Sequence, residues 1–97
     1  MREIEKLMVN AVNGKYNFSR SNTQVIVKNN SVSVWLHFNP IFAKIGNNVY
    51  YSNCGWNTRT TASRLRALGA DYSTNYKKCN CDLISRSAMI NLLNNSL

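Results

Sequence analysis

Between Thr23 and Ser52 apolar and polar residues alternate in four short runs, joined by connections of only a few residues. A period of two places alternate side chains on opposite faces of a strand. Parallel pairing would need crossovers of a dozen or more residues. A sequential antiparallel meander is therefore the simplest topology. The first strand is expected over Thr23–Lys28, and Asn29-Asn30 can supply the positive φ of a tight hairpin. The second covers residues 31–38, with Val32, Val34, Leu36 and Phe38 on one face and Ser31, Ser33, Trp35 and His37 on the other. Asn39-Pro40 reads as its end. Residues 41–45 and 48–52 form another pair around Gly46-Asn47.

Helices flank this meander. Ile4, Leu7, Met8, Ala11 and Val12 recur at the spacing of one helical stripe, which predicts a core-facing helix over residues 2–13. Glu3 and Glu5 lie in its first turn, where the helix dipole favours acids, and Gly14 is a suitable stop. After the meander, Gly55 ends the last strand and Asn57 or Thr58 caps a second helix. Thr61, Ala62, Leu65 and Leu68 share one face of it, and Gly69 closes it. Arg59, Arg64 and Arg66 occupy the remaining arc with no acid at i±4 to neutralise them. Trp56, at the helix entrance, reads as an apolar plug between sheet and helix. Residues 72–81 read as a fifth strand or a loop that exposes Lys77 and Lys78. Asp82 or Ser85 can cap a last helix bearing Ala88, Met89, Leu92 and Leu93. The expected fold is a single α+β domain over residues 1–97. Its order is N-terminal helix, four-stranded antiparallel meander, arginine-bearing helix, possible fifth strand and C-terminal helix.

Charge narrows the choice of partner. Lys plus Arg is 12 and Asp plus Glu is 4, a formal net charge of +8. The acids are Glu3, Glu5, Asp71 and Asp82, so residues 6–70 contain none. A field of one sign attracts polyanions or acidic protein surfaces, and it also serves simple solubility. No apolar run is long enough to span a bilayer, and the charged N-terminus is unlike a secretion signal, so the chain reads as intracellular. On the sheet's second face Ile26, Trp35, His37, Phe42 and Tyr50 are expected beside Lys28 and Lys44. Aromatics among lysines suit stacked single-stranded nucleic acid or a protein interface. They equally suit a core beneath the C-terminal helix.

Catalysis finds little material. There is one histidine, and no pair of acids is spaced to act as acid and base. No P-loop, G-x-S-x-G or dinucleotide fingerprint is present, and no motif calls for a cofactor. Cys54, Cys79 and Cys81 are odd in number, which excludes a complete disulfide framework. With His37 they would make a Cys₃His zinc site only through an unusual C-x-C spacing, so free thiols are the simpler reading. A Cys54–His37 nucleophile is the remaining formal option. The chain reads as a binding protein and not an enzyme.

His37-Phe38-Asn39, Ile45-Gly46-Asn47, the run from Tyr51 through Gly55-Trp56-Asn57-Thr58-Arg59-Thr60-Thr61, and Arg64-Leu65-Arg66-Ala67-Leu68 together resemble a family of small tailed-phage accessory proteins. That family has a short H-x-N strand end, a G-W-x-T-x-T-T turn and an R-L-x-A-L helix. The resemblance spans about residues 22–69, and the segment Lys77-Lys78-Cys79-Asn80-Cys81 with its helical tail departs from it. It implies a phage or prophage accessory protein working in the cytoplasm of an infected bacterial host, and it assigns no role to any residue. Such small phage proteins are often stoichiometric inhibitors of host machinery, here a defence complex such as a CRISPR effector. The partner would be a bacterial host protein or nucleoprotein complex, met by Arg59, Arg64, Arg66, Lys77 and Lys78 with an apolar anchor at Trp35 or Phe42. Direct DNA or RNA binding, and sequestration of an anionic nucleotide signal, are the competing readings.

Overall fold

The computed structural model describes residues 2–56, 58–71 and 83–95. An N-terminal helix, α1 (Glu3–Gly14), precedes five strands: β1 (Phe18–Arg20), β2 (Thr23–Lys28), β3 (Ser31–Leu36), β4 (Asn39–Ile45) and β5 (Asn48–Tyr51). Two helices follow, α2 (Arg59–Ala67) and α3 (Arg86–Asn95). The strands form one antiparallel sheet in chain order, β1-β2-β3-β4-β5. The α+β class and the meander are as expected, with one additional short strand before them. At three residues β1 is too short to show alternation, and it is held by pairing Phe18 with Val25 and Arg20 with Thr23. The suggested strand within residues 72–81, with Lys77 and Lys78, lies outside the described residues.

Register fixes the two faces. Phe18, Val25, Val34, Phe42 and Tyr51 form one row across all five strands. Ile26, Ser33, Ala43 and Tyr50 form the adjacent row, pointing the other way. The first row meets Met8 and Ala11 of α1 and Ala62 and Leu65 of α2 in the main core. α3 packs on β4, and its fully buried Met89 lies outside that cluster. The helices thus cover both faces. Ser85 caps α3 by accepting from the Ala88 amide at 3.1 Å, and Thr58 caps α2 by accepting from Thr61 at 3.1 Å.

Two strand expectations change at the β3–β4 hairpin. Asn39-Pro40 does not end a strand: both residues belong to β4. The register shifts between Val34 and Trp35, so that Val34 faces Phe42 while Trp35 faces Pro40. Such a bulge is where a proline, lacking an amide donor, is tolerated in a sheet. The same shift places Phe42 and Lys44 on the face that α1 and α2 cover, where Phe42 is buried, and not beside Trp35 as expected. Positive φ, expected at Asn29-Asn30, occurs instead at His37 (φ 49°) and Phe38 (φ 65°).

The helical layer is joined by an ion pair. Arg64 Nη1 donates to Glu5 Oε2 at 2.7 Å, with the arginine 3% and the glutamate 2% exposed. Ser63 Oγ donates to the same oxygen at 2.5 Å, and the Arg2 amide to Oε1 at 3.3 Å. Arg64 Nε donates to Thr23 Oγ1 at 3.2 Å. The expectation of a solvent-facing Arg64 is therefore corrected. Its counter-ion is an acid on another helix, far along the sequence, and not one at i±4. Burial by itself raises the Glu5 pKa, but the hydrogen bonds from Ser63, Arg64 and Arg2, with the arginine's charge, outweigh it and hold the group below its ordinary 4.5.

A charge left alone in this interior is costly. Glu5→Ala or Arg64→Ala should lose about 3–5 kcal/mol of stability in urea unfolding. The exposed Arg59→Ala should stay within about 0.5 kcal/mol of wild type. Because the folded pKa of Glu5 lies below its unfolded value, its contribution is complete above that unfolded value and fades as pH falls through the folded one. Acid titration of stability should show that loss, and Glu5→Gln should flatten it.

Candidate functional site

The β3–β4 hairpin turns on two residues, and both take the left-handed conformation that such turns require. Asparagine and glycine usually occupy those positions, whereas here they are His37 and Phe38. A left-handed conformation costs an ordinary L residue about 1–2 kcal/mol, and Phe38 recovers nothing by burial, being 78% exposed. Beyond the end of β5, Cys54 (φ 53°) and Gly55 (φ 81°) reverse the chain and leave Trp56 58% exposed. Between these two turns lies a cleft of about 480 Å3, lined by Leu36, His37, Asn39, Ile41, Asn53 and Trp56 with Thr58, Thr60 and Thr61 from the start of α2.

A hydrogen-bonded chain runs from the buried ion pair to this cleft. A guanidinium can only donate, so Thr23 Oγ1 accepts from Arg64 Nε and passes its own proton to Asn22 Oδ1 at 2.9 Å. Asn22 Nδ2 in turn lies 3.4 Å from His37 Nε2. The backbone of His37 is held as well: its amide donates to the Asn22 carbonyl at 2.9 Å, and Asn39 Nδ2 donates to the His37 carbonyl at 3.2 Å. Arg86, at the first position of α3, donates from Nε to Asn39 Oδ1 at 2.9 Å.

Trp35, expected either in an interface or in a core beneath the C-terminal helix, is half-buried, and its indole N–H donates to Ser33 Oγ at 2.9 Å. Trp56, expected as a plug, faces solvent, and among the described residues its indole N–H has no acceptor. Tyr50 is half-buried on the face that carries Trp35, and Phe42 lies beneath the helices.

The basic candidates separate. Arg59 is exposed at the first position of α2, and Arg66 is exposed in its last turn. Lys28 and Lys44 sit at the opposite end of the sheet from the hairpin. There, with Lys15, they line an open depression of about 280 Å3 that also includes Asn29, Asn30 and Asn47. Among the described residues no carboxylate lines it. Lys15 reaches this place as the left-handed cap of α1 (φ 56°), a contribution that strand alternation does not reveal.

Cys54 is half-buried, with Sγ donating to the Pro40 carbonyl at 3.1 Å. Burial pushes its pKa up, more than Ser52 and the charge of Arg86 bring it down. Among the described residues no three His, Cys, Asp or Glu side chains are placed to hold a metal ion, and no helix is long and apolar enough to cross a membrane. Cys79 and Cys81 lie outside the described residues.

Fold and surface together define a small, cation-rich α+β protein whose polar and aromatic groups gather at the two ends of a sequential sheet. The family model described as Kyanoviridae Gp96 protein matches residues 1–86, and the chain belongs to that phage protein family. The match takes in α1, the whole sheet and α2, and reaches the first residue of α3. No curated protein and no solved structure matches the chain.

Relief of the hairpin strain is measurable. Phe38→Asn keeps the turn, suits its φ and buries no less surface. It should raise the unfolding free energy by about 0.5–1 kcal/mol in urea titration.

Proposed function

We propose that this phage protein acts by stoichiometric binding, without catalysis, and that it inhibits a bacterial defence complex by docking a basic surface on it. The observation that carries this reading is that Lys15, Lys28 and Lys44 line one depression with no carboxylate among the described residues that line it. Lys28 at the end of β2, Lys44 near the end of β4 and Lys15 at the helix cap concentrate positive charge at this end of the sheet, which an acidic protein surface or a nucleic-acid backbone would complement. The patch differs from the α2 arginine face expected from sequence, because Arg64 is spent inside the fold. The phage family supports an accessory role. Defence inhibition and a nucleoprotein target extend that support to this surface.

Expression of the chain in a bacterium with an active defence system should restore plaque formation by a targeted phage. The tagged chain should also retain the effector complex in affinity capture. Lys15→Ala/Lys28→Ala/Lys44→Ala should lose both effects while keeping the wild-type thermal transition. Undiminished protection by that triple variant would remove the lysine patch from the function.

A further inference from the structure

We propose that the cleft at the β3–β4 hairpin receives an unpaired base of a single-stranded nucleic acid, stacked against Trp56. This site lies at the opposite end of the sheet from the lysine depression and does not depend on it.

The argument begins with the rings. Trp56, 58% exposed, lines the cleft from one turn, and His37 lines it from the hairpin; Phe38, 78% exposed, is the next residue of that hairpin and is not part of the lining. Exposed aromatic faces are the common platform for unstacked bases, since every base offers a π-face. The cleft, about 480 Å3, falls within the ~300–1,000 Å3 typical of small-ligand sites. Its hydrogen-bonding groups include the Thr60 hydroxyl and His37 Nδ1, neither of which has a partner among the described residues. Such a mixture suits the edge of a nucleobase.

Charge selects the ligand further. Among the described residues no carboxylate lines the cleft, and so none of them favours a cationic guest or repels a phosphate. Cations stand on the rim from two helices. Arg59 directly follows the lining Thr58, and Arg86 holds the lining Asn39. A base in the cleft would leave its phosphates among these guanidinium groups. A duplex keeps its bases stacked inside and would meet only the rim charges. An acidic peptide would satisfy the arginines without using the ring faces.

Titration of the protein with oligothymidylate, followed by the indole N–H resonances of the two tryptophans, tests the assignment. The Trp56 resonance should shift and its fluorescence should fall, while the Trp35 resonance, already bonded to Ser33, stays in place. Trp56→Ala, at an exposed position, should keep the fold and weaken binding about ten-fold or more. Trp56→Phe should restore most of that affinity. Arg59→Ala should reduce the salt dependence by about one unit of slope. An unmoved Trp56 resonance at saturation, or equal affinity in Trp56→Ala, would overturn the proposal. So would an acidic peptide that moves the Trp56 resonance as far as the oligonucleotide does, since the occupant would then be protein. None of these results touches the lysine patch, whose role is read from the triple variant.

Discussion

A carboxylate and a guanidinium removed together from water hold the helical layer on the sheet. Such a pair survives burial only when hydrogen bonds replace the lost hydration. Here Glu5 receives Ser63, Arg64 and the Arg2 amide, while Arg64 also reaches Thr23 on β2. Three elements, α1, α2 and the sheet, are thereby tied at one point. An apolar contact would permit α2 to slide or rotate on α1, whereas this geometry is met in a single arrangement. From the guanidinium a line of polar contacts runs outward through Thr23 and Asn22 to the ring of His37 at the hairpin.

The pair also shapes the surface. The chain has 4 acids against 12 lysines and arginines. Glu5 is withdrawn into the fold, and Glu3 stands 3.8 Å from Arg20 in an exposed, weak pairing. Little negative charge remains to offset the cations of the turns. The sheet ends consequently differ in chemistry: lysines and asparagines at the β2–β3 and β4–β5 turns, aromatic rings and hydroxyls at the β3–β4 hairpin.

Much of the architecture was legible because antiparallel alternation is a local property. Strand order, the helix caps at Thr58 and Ser85 and the core stripe of α1 all follow from neighbours in the chain. What escaped depends on long-range partners or on backbone irregularity. Arg64 looked bare because its acid is 59 positions away, although its place three residues after Thr61 and one before Leu65 puts it on the buried stripe. Glu5 likewise lies three residues before Met8. Phe42 changed faces because one bulge reverses the parity of every residue beyond it. The cleft was missed because the residues that build it were read as a strand end and a plug. Yet the His37-Phe38-Asn39 and Gly55-Trp56 motifs that carried the phage resemblance are the ones that meet there.

The sequential sheet separates the chain's contacts into two ranges. Each strand finds its partner next to it, at low entropic cost, while the Glu5–Arg64 contact must close a loop of most of the chain. During synthesis the meander is complete before α2 has been made, and α1 waits for a counter-ion that arrives later. Closing that loop costs more chain entropy than pairing neighbouring strands, and the contact can form only once α2 has left the ribosome.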